Sequence, residues 1–258
     1  MNRVVSKLSL GLAVLTMLLL CACASGPASK PAVFKLPLNE AVAPFSLANS
    51  GEALPAGWQP WIISRFNRKT RYRIIEQEGA HVLEAFAERS ASGVLQDVSI
   101  EPKLYPQLSW RWRVSHLPKE ADLSRRGSDD SPARIIVSFD GDKSRFDFED
   151  RATADLVKLF SGREMPYATI MYVWDNKMPP GTLLDNAHSS RAKMIVVESG
   201  PGRVGEWLLF TRNVLDDFKR AFNELPGKII SVGVMSDSNA TNSVITTQYG
   251  DISLRPAE

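Results

Sequence analysis

The chain has 258 residues, of which 44% are hydrophobic and 23% are charged, a composition typical of folded globular proteins and not of disordered ones. It carries 31 Lys and Arg against 29 Asp and Glu. Nucleic-acid-binding proteins need clustered cations in excess to neutralise phosphates, so no nucleic-acid partner is expected.

The N-terminal segment has the pattern of an export signal. Arg3 and Lys7 precede an uncharged, mostly apolar run over 8–22, which is shorter than the about 20 residues that a membrane-spanning helix needs. The run ends in Leu20-Cys21-Ala22-Cys23, the order of residue types found at lipoprotein processing sites. Residues 1–22 are therefore predicted to be a lipoprotein signal peptide, and Cys23 is predicted to carry the lipid. The alternative is an ordinary secretory peptide cleaved near Ala22 or Ala24.

The predicted anchor defines a compartment and one partner. Several acyl chains on one cysteine bury many methylenes at about 0.8 kcal/mol each, so the lipid bilayer is the expected partner of Cys23. Ala24 follows, and not the Asp associated with retention in the inner membrane. We therefore expect the bacterial cell envelope, at the inner leaflet of the outer membrane. Cys21 leaves with the signal, and no thiol then remains for a disulfide or a cysteine nucleophile.

The mature chain is predicted to be one domain behind a short tether. Residues 23–32 are rich in Ala, Ser, Gly, Pro and Lys, a composition that buries little apolar surface. Residues 33–258 are long enough for a single large domain with its own core, and a monomer is expected.

Most of this domain is predicted to form strands, because β-branched, aromatic or alternating segments recur between turn formers. The clearest is 108–114, where apolar and polar residues alternate, so that Leu108, Trp110, Trp112 and Val114 share one face. The predicted strands are 71–77, 81–88, 93–100, 108–114, 133–139, 168–174, 193–198, 206–212, 228–235 and 244–254.

Two segments have helical spacing instead, 153–160 and 214–222. In the second, Asn213 is a good N-cap, and Leu215, Phe218 and Phe222 form an apolar stripe. Close-spaced strands without regular helices between them indicate an all-β fold. We expect an antiparallel β-sandwich of jelly-roll type, like carbohydrate-binding modules or galactose-binding domains, with one or two short helices.

Several catalytic motifs are weak or missing. The segment 200–205 matches a G-x-G-x-x-G string, but a strand follows it and not a phosphate-binding helix, so we interpret it as a hairpin turn. The three histidines are scattered, and neither a G-x-S-x-G elbow nor a P-loop is present. Glu198 and Glu206 are a conceivable carboxylate pair for glycan cleavage, although exposed hairpin carboxylates are the favoured interpretation. No catalytic residue is assigned.

The predicted ligand surface combines a strand end with an acidic loop. Trp174 ends a strand and is followed by Asp175 and Asn176, a group that can stack on and hydrogen-bond to a sugar ring; the alternative is a tryptophan that covers the edge of the core. The loop residues Asp129 and Asp130, together with Arg134, complete the candidate surface.

A cation site is a weaker hypothesis. Asp237 and Asn239 place oxygen atoms at alternate positions, which suits a hard cation such as calcium. Asx residues are also frequent simply because they form turns. No cofactor is expected, while a structural calcium ion remains compatible with these residues.

The chain resembles a bacterial family named domain of unknown function 3047. The resemblance rests on segments in the order of that family, namely 108–114, 129–137, 172–174, 199–207, 212–218, 235–237 and 249–252. The last two strands also resemble the closing pair of jelly-roll carbohydrate-binding modules. The family name implies no activity, so what the resemblance implies is architecture.

Three functions follow as expectations. The leading one is non-catalytic binding of a glycan or another envelope component. The others are a glycan-active enzyme on the same fold, and a structural lipoprotein that docks to an envelope assembly. Whether the chain is an enzyme is left open by the sequence.

Overall fold

The computed structural model describes residues 42–51 and 53–257. The predicted signal peptide, Cys23 and the tether 23–32 lie outside these residues. Among the described residues, neither α-helix is long and apolar enough to cross a bilayer.

The described residues form strands, with two α-helices and two single 3-10 turns at Phe45–Leu47 and Lys143–Arg145. The helices are α1 (Phe148–Ser161) and α2 (Val214–Phe222). The strands are β1 (Trp58–Trp61), β2 (Arg71–Gln77), β3 (Ala80–Glu88), β4 (Ala91–Ile100), β5 (Gln107–Val114), β6 (Arg134–Phe139), β7 (Ala168–Asp175), β8 (Leu183–Asn186), β9 (Ser189–Ser199), β10 (Leu208–Asn213), β11 (Ile229–Asp237) and β12 (Val244–Arg255).

These strands build two sheets. One has seven strands in the order β1-β4-β11-β6-β7-β9-β8, and the other has five in the order β10-β5-β12-β3-β2. They pack as a β-sandwich of the predicted jelly-roll type, and one face of β5 lies in the core between them. Trp110 and Trp112 are fully buried, and the ring of Trp110 lies 5.0 Å from that of Tyr172 on the opposite sheet. The alternating face predicted for 108–114 is thus confirmed as a core face.

One strand pair departs from the otherwise antiparallel arrangement, and one expected turn is wrong. Within the described strands, β7 and β9 pair in parallel, because the chain first goes to the sheet edge as β8 and returns as β9 between β8 and β7. The segment 200–205 joins β9 to β10, which belong to different sheets. It is therefore a crossover between the sheets and not a hairpin turn.

The first residue of each α-helix is explained by the side chain that caps it. In α2, the Asn213 Oδ1 accepts hydrogen bonds from the backbone N–H groups of Leu215 and Asp216, both at 3.1 Å, which confirms the predicted cap and bounds. In α1, Asp147 caps the N–H of Asp150 at 2.8 Å. This cap starts the helix five residues before the segment 153–160 expected from spacing alone.

Candidate functional site

A cleft of about 750 Å³ lies on the seven-stranded sheet, on the face turned away from the five-stranded sheet. Side chains alternate across a strand, so every second residue of β4, β6, β7 and β11 forms its floor. The volume falls in the range of about 300–1,000 Å³ that is usual for small-molecule sites. The floor residues are Ala91, Leu95, Arg134, Ile136, Ser138, Thr169, Met171, Ser231, Gly233 and Met235.

The centre of this floor is apolar. Ile136 and Met235 are 4% and 6% exposed and pack together with Ala91. Met171 and Trp61 pack against the same group from either side. The polar groups of the cleft lie towards its ends, with Asp97 and Ser138 at one and Arg134 and Asp237 at the other.

Helix α1 crosses the sheet as one wall of the cleft. Near its first turn, the Ser190 hydroxyl on β9 donates a hydrogen bond to Asp150. Just after its last turn, Arg163 pairs with Asp97 on β4 at 2.7 Å. Because β9 and β4 lie on opposite sides of the sheet, the helix is attached on both sides, and its residues Thr153, Val157 and Ser161 line the cleft.

The segment 62–70, between β1 and β2, is the facing wall. Ile63, Ser64 and Asn67 line the cleft from this side. The two walls meet where the ring centroids of Phe66 and Phe160 are 6.3 Å apart. The cleft is therefore partly roofed.

The lining carboxylates all have partners. Asp97 pairs with Arg163, Glu164 pairs with Lys158 at 2.7 Å, and Asp129 contacts His188 at 3.1 Å. The remaining two, Asp130 and Asp237, are 2% and 7% exposed and are hydrogen-bonded inside the protein.

The Arg134–Asp237 pair anchors one end of the cleft. The Arg134 Nε donates to one Asp237 oxygen at 3.2 Å and its Nη2 to the other at 3.1 Å. The backbone N–H of Ser131 donates to the same carboxylate at 2.8 Å. Burial raises the pKa of Asp237 to about 6 although the Arg134 charge lowers it, and the neighbouring Asp130 adds to the rise.

Asp129 and Asp130 hold the adjoining loops. The Asp129 backbone carbonyl accepts a hydrogen bond from Arg134, while Asp130 accepts from the N–H groups of Ala240 and Thr241 at 3.2 and 2.7 Å. Burial tends to raise the pKa of Asp129, but the hydrogen bond from His188 and the charge of Arg134 lower it to about 2. Three of the six predicted ligand residues, Asp129, Asp130 and Arg134, thus come together at the cleft.

Residues 56–253 match the profile of the family described as "Protein of unknown function (DUF3047)". The chain belongs to this family. The resemblance seen in the sequence is confirmed, and the family spans both sheets of the sandwich. No curated protein sequence matches the chain.

Solved structures with a similar fold are remote in sequence. The xyloglucanase domain of NopAA, a type three effector from Sinorhizobium fredii, is 9% identical, with 81% of this chain and 99% of that one covered and a TM-score of 0.43. A family 12 xyloglucanase from Bacillus licheniformis is 6% identical, with 81% and 97% covered and a TM-score of 0.44. A CBM4 structure is 11% identical, with 79% and 96% covered and a TM-score of 0.35. These likenesses assign no activity to this DUF3047 chain.

The other three predicted ligand residues lie elsewhere, and the burial of Trp174 favours the alternative in which this tryptophan packs in the core. Trp174 is fully buried in the core between the sheets, where its Nε1 donates to the Gly200 carbonyl at 3.1 Å. Asp175 accepts from the backbone N–H groups of Lys177 and Met178, both at 2.6 Å. The Asn176 amide donates to the Pro118 carbonyl at 2.7 Å. Asp175 thus shapes the turn after β7, and none of the three residues lines the cleft.

The suggested cation site at Asp237 and Asn239 is also corrected. A guanidinium lies against both oxygens of Asp237, and its charge opposes a cation at the same atoms. Asn239 lines the cleft beside this pair. Within residues 42–51 and 53–257, no group of three His, Cys, Asp or Glu side chains has the arrangement of a metal site.

Glu198 and Glu206 share a partner and lie away from the cleft. The Arg203 side chain lies 3.5 Å from a Glu198 carboxylate oxygen and 3.2 Å from one of Glu206. The Glu206 side chain is 57% exposed and that of Glu198 only 12%, and the segment between them is not a hairpin, so the favoured interpretation of two exposed hairpin carboxylates is wrong for Glu198.

Sequence reasoning missed the floor of the cleft. Its apolar side chains have the same alternation as core residues, and nothing in the pattern tells which of two buried faces has a layer above it. Trp61 was also missed, although the pair Trp58 and Trp61 around Pro60 was a signal. The ring of Trp61 lies over Gly93, where a Cβ would come within 2.9 Å of it.

Proposed function

We propose that this chain is a non-catalytic binding protein that holds the apolar part of an amphipathic cell-envelope molecule, such as an acyl chain, in the cleft. The observation that carries the proposal is the apolar floor of Leu95, Ile136, Met171 and Met235 beneath a helix attached on both sides. A cavity of about 750 Å³ with such a lining removes apolar ligand surface from water, which is the main source of affinity for such molecules.

The polar ends of the cleft support an amphipathic ligand over a purely apolar one. Arg126 and His188 line the end that also holds Arg134. The side chain of His188 is 51% exposed and can contact a ligand head group. When an anionic or hydroxylated head group binds at this end, the acyl chain of the same ligand lies over Ile136 and Met171.

A catalytic role receives less support, because each lining carboxylate is bonded to a neighbouring group. Glycoside hydrolysis needs two carboxylates free to act on one bond. Incubation with envelope glycans and lipids should accordingly leave the added molecules intact.

Titration with a fluorescent fatty-acid analogue tests the proposal. One saturable site is expected, and Met171→Asp should weaken binding at least tenfold, since an ionised carboxylate over the floor opposes an acyl chain and tenfold corresponds to about 1.4 kcal/mol. The matched control is Leu209→Asp, because Leu209 is 45% exposed on the other sheet. Equal affinities of the two variants would overturn the proposal.

Glycan binding is the second candidate, and Trp61 favours it. The indole lies over Gly93 at the edge of the cleft, and aromatic rings provide flat apolar surfaces on which sugar rings stack. Oligosaccharide binding that is lost in Trp61→Ala and kept in Met171→Asp would favour this candidate over an acyl ligand.

We also propose that Cys23 carries a lipid that anchors the chain to the inner leaflet of the outer membrane. The support is the segment Leu20-Cys21-Ala22-Cys23 and the residue Ala24. Globomycin should cause a larger precursor to accumulate, and Cys23→Ala should release the chain from membranes. Unchanged processing or a membrane-bound Cys23→Ala chain would contradict the anchor.

A further inference from the structure

Helix α1 turns an apolar face to solvent. Phe148, Leu156, Leu159 and Phe160 are 85%, 53%, 66% and 38% exposed. At 100° per residue these side chains lie within a stripe of about 120° around the helix, which also contains Ala152 and the exposed carboxylate of Glu149. A surface helix normally has its apolar stripe on the packed side, whereas α1 packs with Asp150 buried and with only Ala154 and Val157 against the core.

The stripe continues onto the facing wall of the cleft. Phe66, which is 76% exposed, touches Phe160 with 6.3 Å between ring centroids. The guanidinium of Arg65 lies 5.3 Å from the centre of the Phe66 ring. We call the five side chains Phe66, Phe148, Leu156, Leu159 and Phe160 the α1 surface. Contiguous exposed apolar surface of this kind is uncommon on soluble monomers and usually marks a docking site.

We infer that the α1 surface docks on the phospholipid bilayer that holds the Cys23 anchor. This inference rests on the proposed anchor and on the place where the chain joins the domain. The N–H of Ala43 donates to the Gln96 side chain at 2.8 Å, and the next residue, Asp97, holds Arg163 at the end of α1. Adjacent side chains of a strand point to opposite faces of the sheet, so the first described residues and the end of α1 contact β4 one residue apart, from opposite faces.

The length of the preceding chain permits this docking. Eighteen residues separate Cys23 from Val42, and fully extended they reach at most about 60 Å. A lipid on Cys23 thus keeps the domain close to the bilayer, where the α1 surface meets it repeatedly. A tether of this length raises the effective concentration of the membrane for a weak second contact.

The charges of α1 indicate how the contact is made. Glu149, Asp150 and Asp155 nearly balance Arg151 and Lys158 along the helix. Docking then depends on burial of the apolar stripe in the interfacial region and only weakly on anionic lipids. It should therefore occur on zwitterionic vesicles and persist at high salt.

Docking by α1 would give the cleft a route to its ligand. Thr153 and Val157 of the same helix line the cleft, so a docked α1 brings the cleft to the membrane surface. An acyl chain would then pass from bilayer to cleft with little exposure to water.

The test uses the full chain reconstituted in phosphatidylcholine vesicles, with Cys21→Ala and one added cysteine carrying an environment-sensitive fluorophore. The added cysteine is Ala152→Cys, within the exposed stripe, or Leu209→Cys on the other sheet as control. Quenching by spin-labelled lipid should be several-fold stronger at position 152 than at 209, and Leu156→Ser with Leu159→Ser should remove the difference.

Equal quenching at the two positions, or a chain that does not remain with the vesicles, would overturn the inference. Energy transfer between labelled chains at position 152 without lipid quenching would show self-association instead and would also overturn it. The fatty-acid titration with Met171→Asp needs no vesicles, so failure of bilayer docking is distinguishable from failure of the proposed binding function.

Discussion

Arg134 on β6 and Asp237 on β11 form a two-point ion pair at the end of the cleft, with Nε and Nη2 each bonded to one carboxylate oxygen. Their side chains are 5% and 10% exposed. The arginine also binds the backbone carbonyl of Asp129, and Asp237 accepts from the N–H of Ser131. One ion pair therefore holds two strands and the 129–131 loop beside the candidate site.

Arg134→Met should destabilise the fold by about 3–5 kcal/mol, because it leaves the Asp237 charge buried without its partner. Urea denaturation measures the change. Arg126→Met is the matched control, since Arg126 is an exposed arginine at the same end of the cleft, and it should change the free energy of unfolding by less than about 0.5 kcal/mol. A loss below about 1 kcal/mol for Arg134→Met would refute this role of the pair.

The raised pKa of Asp237, about 6, predicts a specific pH dependence. The folded state holds the Asp237 proton more tightly than the unfolded state does. The contribution of this carboxyl to the free energy of unfolding is therefore largest below about pH 4 and falls as the pH rises to 6. The free energy of unfolding of the wild type minus that of Asp237→Asn should fall by on the order of 2 kcal/mol across this window.

The neighbouring Asp129 changes the stability of the fold in another pH range. Its pKa is lowered to about 2, so its contribution is lost only as the pH falls below its usual titration range. Measurements between pH 4 and 7 therefore isolate Asp237. A difference that rises with pH in this window would contradict the predicted direction.

Gly93→Ala should destabilise the protein by about 1–3 kcal/mol, the usual range for overpacking. A Cβ at this position would lie 2.6 Å from the Val234 carbonyl oxygen and 2.9 Å from Trp61. The emission of Trp61 should shift as the ring is displaced. Gly202→Ala is the control, because a Cβ there meets nothing within 4 Å; equal thermal stability of the two variants would be evidence against the close packing of Trp61 on β4.

Trp174→Ala should cost about 3–5 kcal/mol of stability and leave the affinity of the folded protein for the fatty-acid analogue unchanged, since Trp174 belongs to the core between the sheets. Trp61→Ala is the comparison, because Trp61 is half-buried and lines the cleft, and its loss should affect the cleft more than the fold. Thermal unfolding and titration of both variants measure these effects. A Trp174→Ala protein that keeps its stability but binds the fatty-acid analogue more weakly would show that Trp174 belongs to the ligand site.

Local patterns predicted most of the strands and the helix α2, because alternation and capping are encoded by residues close in sequence. They did not predict β1 and β8, which have four residues each and contain Pro60 or a polar end. The parallel pairing of β9 also escaped prediction, since it depends on where an edge hairpin inserts. Trp174 was ambiguous because a strand end is compatible with either core or surface.

The cleft itself could not be predicted from local patterns. Arg134 and Asp237 are 103 positions apart, and the walls 62–70 and α1 meet only through the folded sheet. Asp129, Asp130 and Arg134 were among the candidates because they lie within one short segment, 129–137, that also carries the family resemblance. Their buried hydrogen bonds, which hold loops together, follow from long-range packing.

Methionine-methyl NMR tests the binding claim most directly. Met165, Met171 and Met235 line the cleft, whereas Met178 does not line it and packs against a cluster of Leu123, Val173, Met194 and Val196 that Met171 also contacts. Titration with a fatty acid should shift the methyl resonances of Met165, Met171 and Met235 with one common affinity and leave Met178 unchanged. Absence of shifts at saturating ligand, or shifts confined to Met178, would contradict a ligand site on the seven-stranded sheet.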